Sequence, residues 1–282
     1  MTYTLTQKHP ARRAFITGGG GGLGRALAVE LAKDGWTVGI TDINDTGLQE
    51  SRALIEQAGG KALTYRFDVA NRYEYEKSFS DFIAQAGGID LLINNAGVGD
   101  GGLFGEYKLE HWEWITGINQ MAVIYGTHFA VPHMKNQRSG HIISVASAAG
   151  IANMPNMSMY NVTKAAVISL MESIYAELWP YNVQVSVVCP TFFRSNIMQH
   201  HKGNEDAAKI GQTIIQRARF SPEDVARYIL TQAGKNEFYI LHPFQARFVF
   251  HLKRFMPEFF LRYKAKQFSK KDWVQKALSR RY

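Results

Sequence analysis

The chain has 282 residues, 46% apolar and 20% charged, a composition that excludes disorder and allows one large domain or two small ones around a sizeable core. Its single cysteine, Cys189, excludes an internal disulfide and a cysteine metal cluster and points to a reducing compartment. Net charge is +8, yet residues 244–282 carry 11 lysines and arginines against only Glu258 and Asp272, so the body is nearly neutral and the basic surplus lies at the carboxyl end.

Residues 1–13 are polar and lack the apolar core of a signal peptide. No run of about 18 apolar residues offers a spanning helix, so a soluble, cytoplasmic protein is expected. Ala14-Phe15-Ile16-Thr17 is the first expected strand, running into a glycine run, with helical spacing from Leu23 to Lys33. Thr37–Thr41 is the second strand, and a helical stretch follows that ends at Gly59-Gly60. Strands are next expected at Ala62–Phe67 and, after another helix, at Ile89–Ile93. One long amphipathic helix is expected from about Leu109 to Asn136. His141–Val145, the helix Met159–Trp179, Val183–Val188 and Phe238–Leu241 complete the series.

Strands alternating with helices of this length imply right-handed βαβ units. The expected fold is α/β: a single doubly wound parallel sheet of about seven strands, helices on both faces, and a helical carboxyl-terminal extension. With no low-complexity linker or internal repeat, residues 1–243 are taken as one domain, whose turns and strand ends carry the candidate residues for dinucleotide binding and catalysis. Residues 244–282 are taken as a basic, aromatic-rich extension of it.

The turn Thr17-Gly18-Gly19-Gly20-Gly21-Gly22-Leu23-Gly24 lies between the first strand and the first helix. Glycines there let the backbone turn sharply and approach a pyrophosphate resting at the helix amino terminus. Alone, such a run is equally a tight turn. Asp42 ends the second strand 18 residues after Gly24, near the spacing of a carboxylate that binds the adenosine ribose hydroxyls. A 2′-phosphate would face that carboxylate, and no Arg or Lys stands at Gly18–Gly22 or Ile43 to compensate. NAD is therefore favoured over NADP; the plain alternative for Asp42 is a solvated turn acid.

Tyr160-Asn161-Val162-Thr163-Lys164 sets a phenol and an ammonium four residues apart on one helical face. A free tyrosine ionises near pH ~10, and a fixed positive charge beside it lowers that value toward the range of general acid/base work. Ser147 ends the fifth strand at the edge where ligands of such sheets bind. Asn94-Asn95-Ala96-Gly97 follows the fourth strand, where asparagines also serve as turn formers.

In this order the chain resembles the short-chain dehydrogenase/reductase family: TGxxxGxG at Thr17 to Gly24, NNAG at Asn94 to Gly97, then Asn119, Ser147 and YxxxK at Tyr160 to Lys164. The likeness spans residues 12 to about 243. It implies a hydride transfer between NAD and a secondary alcohol or ketone. By that resemblance Tyr160 moves the proton, Ser147 holds the substrate oxygen, Lys164 tunes the tyrosine and binds the nicotinamide ribose, and Asn119 anchors a water that refills the proton. It implies cofactor contacts from Gly18, Gly22, Leu23, Gly24, Asp42, Asp68, Val69, Asn95, Ala96, Gly97, Tyr160, Lys164, Pro190 and Ser195. It also implies a homodimer or homotetramer built partly through the helix bearing Tyr160.

Two departures stand out. Ser144-Val145-Ala146-Ser147 replaces the common Asn-Ile-Ser-Ser, and Pro190-Thr191 replaces Pro-Gly, so the backbone beside the nicotinamide is expected to follow a different path. By the same resemblance, residues between Ser147 and Tyr160 line the substrate site: Ile151, Met154, Met157 and Met159. The segment after Pro190 adds Phe192, Phe193, Ile197 and Met198. Such a wall suits a lipophilic substrate of steroid, terpenoid or long-chain type; the alternative is that several of these residues are simply core.

Beyond residue 243, Phe248, Leu252, Phe255, Phe259 and Tyr263 recur at helical spacing among Arg247, Lys253, Arg254, Arg262, Lys264 and Lys266, and Pro257 ends one helix or starts a second. Such a segment can lie on a membrane surface, dock on the body, cover the active site or join a second subunit. No nucleic-acid module is expected, and His200-His201 and His128/His133 lack metal-ligand spacing. The competing readings are a dinucleotide sensor without turnover, an epimerase or dehydratase on the same fold, and a membrane-attached scaffold.

Overall fold

A computed structural model describes residues 3–203, 205–243 and 246–269. Seven parallel strands lie in the order β3-β2-β1-β4-β5-β6-β7, with β1 Arg13–Thr17, β2 Thr37–Asp42, β3 Lys61–Arg66, β4 Leu91–Asn94, β5 Gly140–Val145, β6 Val183–Pro190 and β7 Tyr239–His242. The order reverses between β1 and β4, which opens a crevice at the carboxyl ends of the strands.

The central strands β4 and β5 are buried at every position, as a parallel sheet covered on both faces requires. Neighbours along β1 serve opposite faces. Ile16 joins the core packed by α2 (Gly22–Ala32), α3 (Asp45–Gln57) and α10 (Pro222–Gly234). Phe15 joins the core packed by α4 (Arg72–Ala86), α6 (Ala122–Gln137) and α8 (Ser158–Leu178). This alternation is the period of two that a strand imposes.

Two helices begin as their sequences dictate. Asn71 caps α4 by accepting from the Tyr73 and Glu74 amides at 3.2 and 3.3 Å, and Ser221 with Asp224 forms a reciprocal capping box ahead of α10. A short α1 (Thr4–Lys8), not anticipated from the sequence, latches onto the α2–α10 face. Leu5 is fully buried there, Thr6 bonds Asp34 at 2.8 Å, and Lys8 donates to the Gly234 carbonyl at 2.8 Å.

The single helix expected over Leu109–Asn136 is corrected. α5 (Leu109–Thr116) and α6 are joined by a π-helical turn at Gly117–Met121. The apolar spacing carries across that turn, although α5 buries Ile115 beside Val98, Met159 and Tyr160 while α6 buries Ala122, Val123, Ala130 and Met134 in a separate, larger cluster. The extra residue in the turn sends the Asn119 side chain fully inward, and such insertions concentrate at functional sites. After Ser147 come α7 (Ala148–Ala152) and α8, and after β6 comes α9 (Glu205–Gln216).

The extension forms α11 (Ala246–Phe255) and α12 (Pro257–Phe268), with Pro257 opening the second helix. The expected boundary at residues 243/244 adjoins Phe244 and Gln245, which lie outside the described residues, as do 270–282 of the extension. Among the described residues no helix is long and apolar enough to cross a membrane.

Candidate active site

The glycine loop crosses from β1 to α2 at the switch point of the sheet. Gly18 has φ +69°, and a Cβ there would stand 2.9 Å from the Ala96 Cα; a Cβ on Gly24 would fall 2.1 Å from the Gly18 carbonyl oxygen. Glycine at these two positions is therefore steric necessity. Asn95 locks the loop: its Nδ2 donates to the Thr17 and Gly18 carbonyls at 2.9 and 3.2 Å. The Thr17 hydroxyl accepts from the Asn95 and Ala96 amides, both at 3.0 Å.

Gly21 and Gly22 differ from these. A Cβ on either would meet nothing within 4 Å, and no side chain caps the amino terminus of α2 at Gly21. The space over the loop and the uncapped amides of Gly22, Leu23 and Gly24 fit a pyrophosphate. Asp42 stands at the end of β2, its carboxylate accepting from the Gly20 and Asn44 amides at 3.0 Å each. Asp68 is exposed after β3 and accepts from the Ala70 amide at 2.9 Å, with Val69 buried beside it. Thus the residues expected to hold the dinucleotide line one edge of the sheet.

Sequence reasoning missed Arg25 here. Its guanidinium donates to the Gly20 carbonyl at 2.6 Å and to Gly47, Glu50 and Ser51, so it ties the loop to α3. Glu50 partners its charge at 2.8 Å.

The second half of the site lies where β4, β5 and β6 end. Ser147 caps α7, its Oγ accepting from the Ala149 amide at 3.1 Å. Tyr160 and Lys164 lie one turn apart on α8, with Nζ 5.7 Å from the Tyr160 ring centroid. Lys164 donates to the Val145 carbonyl at 2.9 Å. Asn119 bonds Val98 in both directions, accepting from its amide at 2.8 Å and donating to its carbonyl at 2.9 Å, and donates to Thr163 Oγ1 at 3.3 Å. A Cβ on Gly97 would stand 3.2 Å from Asn119 Oδ1 and 3.3 Å from Lys164 Nζ, so the loop after β4 reaches the lysine.

The expectation of a lowered Tyr160 pKa is corrected in the protein alone. Burial pushes the phenol up to about 12, more than a hydrogen bond from the Ser147 side chain pulls it down. Burial also draws the Lys164 ammonium down to about 8. Both shifts favour the uncharged form in a poorly solvated site, an effect that i, i+4 spacing cannot reveal. Cys189 lies beside the same groups, its thiol pushed up to about 12 by burial against the pull of the Ser147 amide and Lys164.

Residues 12–206 match the short chain dehydrogenase family. The chain is a short-chain dehydrogenase. This dehydrogenase is 32% identical over 227 residues to a 3-oxoacyl-[acyl-carrier-protein] reductase of Thermotoga maritima, covering 80% of this chain and 92% of that one. Among solved structures it is similar to a short-chain dehydrogenase/reductase of Burkholderia phymatum in complex with NAD, with TM-score 0.81 and 30% identity over 88% of this chain and 94% of the other. A 3-ketoacyl-ACP reductase of Sinorhizobium meliloti matches with TM-score 0.71 and 28% identity, covering 81% of this chain and 96% of the other. The dehydrogenase is thus an NAD(P)-dependent oxidoreductase with a Rossmann-type fold.

The expected pocket residues fall into different surroundings. Met159 is fully buried against Tyr160, Val98 and Ile115, which is the core alternative. Phe193 packs against the core on the α2–α10 face. Phe192 and Ile197 pack on a small cluster of Met198, Ala208 and Ile215. Met154 is exposed, its carbonyl accepting from Asn161 at 2.7 Å, and Ile151 and Met157 belong to two separate packing clusters. Pro190 ends β6, and Thr191 donates to the His242 carbonyl at 2.8 Å without a positive φ. The backbone there therefore does not require a glycine. Ser195 lies on the irregular segment that follows.

That segment is fastened by residues the sequence did not flag. Gly99 donates to the Ile197 carbonyl at 2.7 Å, and the buried carboxylate of Asp100 accepts from the Gly101 and Gly203 amides at 2.8 and 3.0 Å. Among the described residues no group of three or more His, Cys, Asp or Glu side chains is placed to hold a metal ion.

Proposed function

We propose that the dehydrogenase transfers hydride between NAD and the carbonyl or secondary alcohol of a lipophilic, long-chain substrate. The observation that carries this reading is the convergence of Ser147, Tyr160 and Lys164 on the crevice edge that the glycine loop and Asp42 also face. The dinucleotide supplies or accepts the hydride when bound. Tyr160 passes its proton to the developing alkoxide, or takes it in the reverse direction. Ser147 hydrogen-bonds the same oxygen and orients it. Lys164 holds the nicotinamide ribose, while Asn119 steadies the loop after β4 and holds a water that returns the proton.

NAD preference rests on Asp42, whose carboxylate would repel a 2′-phosphate, and is consistent with the NAD bound in the Burkholderia phymatum relative. Arg25, near the loop, is held by Glu50. The long-chain reading draws on the apolar residues Phe192, Ile197 and Met198 after β6 and on the two relatives named as 3-oxoacyl or 3-ketoacyl reductases.

The test is absorbance of reduced nicotinamide with 3-ketoacyl thioesters of increasing chain length, with NADH and with NADPH, for wild type and Tyr160→Phe. Turnover with NADH that rises with chain length and is lost in Tyr160→Phe is the expected result. Turnover surviving in Tyr160→Phe overturns the mechanism, and NAD binding without turnover across the series favours a dinucleotide sensor. Self-association through the outer face of α8 into a cytoplasmic homodimer or homotetramer belongs to this reading, and light scattering of the full chain measures it.

A second reading concerns the extension. Phe248 is 70% and Phe255 77% exposed, and Phe259 and Tyr263 are also exposed, among Arg254 and Arg262. Exposed aromatics interleaved with cations suit the headgroup region of an anionic bilayer. Sedimentation with anionic but not with neutral vesicles is the expected result; equal recovery from both removes this role.

A further inference from the structure

α7 spans only Ala148–Ala152, yet Ser147 is its amino cap. A helix this short has little stability of its own, so the place of the Ser147 hydroxyl depends on what holds α7. On its flank, Gly150 lies directly against α8: a Cβ there would fall 2.7 Å from the Lys164 carbonyl carbon and 2.8 Å from the Ala165 amide. α7 therefore touches both the serine and the backbone of the active-site lysine.

The far end of α7 is held by the extension. Asn153 ends the helix in the left-handed region with φ +51°, which leaves the last carbonyls facing outward with partial negative charge. Lys253 on α11 donates to the Ile151 carbonyl, and Lys264 on α12 donates to those of Ala152 and Asn153, the last at 2.8 Å. With its amide oxygen turned toward α11, Asn153 also accepts from Lys253 at 3.1 Å. Two ammonium groups from separate helices thus converge on one turn of backbone. Burial lowers the pKa of both, and the nearby Lys253 lowers that of Lys264 further. Exposed cations on a solvated helix would avoid that desolvation.

We propose that Lys253 and Lys264 are positioning residues. Together they clamp the carboxyl end of α7 and so set Ser147 against Tyr160. The extension is in this respect a brace for the active site, acting through the last carbonyls of α7 and the Gly150–Lys164 contact. This inference rests on the hydride-transfer reading of Ser147, Tyr160 and Lys164.

The test uses the full chain carrying Lys253→Met, Lys264→Met, both together, and the paired Lys253→Arg/Lys264→Arg, with Lys266→Met as control. Three quantities are read: steady-state NADH oxidation with a 3-ketoacyl thioester, NADH dissociation constant, and amide exchange at residues 148–153, which needs no substrate. The double Met variant should lose about 10- to 100-fold in kcat, as expected of a displaced catalytic group, with NADH affinity within about twofold. Exchange at Ala149–Asn153 should quicken, the Arg pair should recover most of the loss, and Lys266→Met should behave as wild type.

Wild-type kcat or unchanged exchange in the double Met variant overturns the proposal. So does an Arg pair no better than Met, or a fall in kcat matched by an equal fall in NADH binding. If the double variant does not fold, the single variants decide: wild-type kcat and exchange in folded Lys264→Met overturn it. Lysine variants at wild-type rate beside an inactive Tyr160→Phe defeat the brace alone, whereas an active Tyr160→Phe defeats the underlying mechanism.

Discussion

Lys164 donates its ammonium to the Val145 carbonyl at 2.9 Å while its Nζ stands 5.7 Å from the ring centroid of Tyr160. Burial holds the lysine near 8 and the phenol near 12. Groups this close titrate as a pair. In the reducing direction the protonated pair is competent, so kcat/KM should be level at low pH and fall about tenfold per unit above the lower ionisation. In the oxidising direction the sign reverses: kcat/KM rises through the same region and then levels. Lys164→Met should remove this limb and leave that of the phenol, in the alkaline range. A limb near pH 8 that persists in Lys164→Met would assign it to another group.

The same shift has a stability consequence. Between pH 8 and 10.5 the unfolded chain keeps the Lys164 proton while the folded protein has lost it, so this residue's contribution to stability rises with pH across that window. Denaturation midpoints of wild type and Lys164→Met, compared across the window, should converge or cross as pH rises. A constant difference would contradict the assigned shift.

The NAD preference proposed for Asp42 rests on a carboxylate that already accepts from the Gly20 amide at 3.0 Å. Asp42→Ala should lower kcat/KM with NAD by about 10- to 100-fold, the range of a lost charged hydrogen bond. Activity with NADP should change little or rise. Equal losses with both cofactors would mean that Asp42 only shapes the loop.

Two glycines of one loop should respond differently. A methyl on Gly24 would fall 2.1 Å from the Gly18 carbonyl oxygen, whereas one on Gly21 would meet nothing within 4 Å. Gly24→Ala should lower the melting temperature and abolish cofactor binding. Gly21→Ala should melt within a few degrees of wild type, as surface substitutions do, yet bind NAD about tenfold more weakly if the methyl enters the pyrophosphate's space. Calorimetry showing wild-type affinity in Gly21→Ala would place the pyrophosphate elsewhere.

Asp100 fastens the segment after β6 across 103 residues of sequence through the Gly203 amide. Asp100→Ala should destabilise the fold by about 1–3 kcal/mol, since the buried Gly101 amide and the half-buried Gly203 amide lose their acceptor. It should raise KM for a 3-ketoacyl thioester probe about tenfold, with cofactor affinity largely kept. Asp100→Asn, which retains an acceptor oxygen, should lie close to wild type. A fall in cofactor affinity equal to the rise in KM would mean that the whole cleft, and not this segment, depends on Asp100.

Much of the architecture was legible because it is local. Seven strand positions, the glycine loop and the Tyr160–Lys164 face follow from periodicity within windows shorter than one helix, and each strand lies within two residues of its expected bounds. The helix expected over Leu109–Asn136 hid a π turn, because one inserted residue barely disturbs an apolar pattern. The pocket residues were the least legible. Met159 and Met154 lie five residues apart on the same stretch, yet one is fully buried and the other exposed.

By itself the sequence determined the order of strands and helices, the loop that turns at Gly18, and the pairing of Tyr160 with Lys164, all set by backbone geometry over a few residues. Only the tertiary structure decided the state of that pair, since desolvation depends on every neighbour that excludes water. It alone brought Asn119 to Val98 across 21 residues and Lys264 to the Asn153 carbonyl across 111. Contacts between distant segments are chosen by how whole layers pack, and no local pattern in the chain records them.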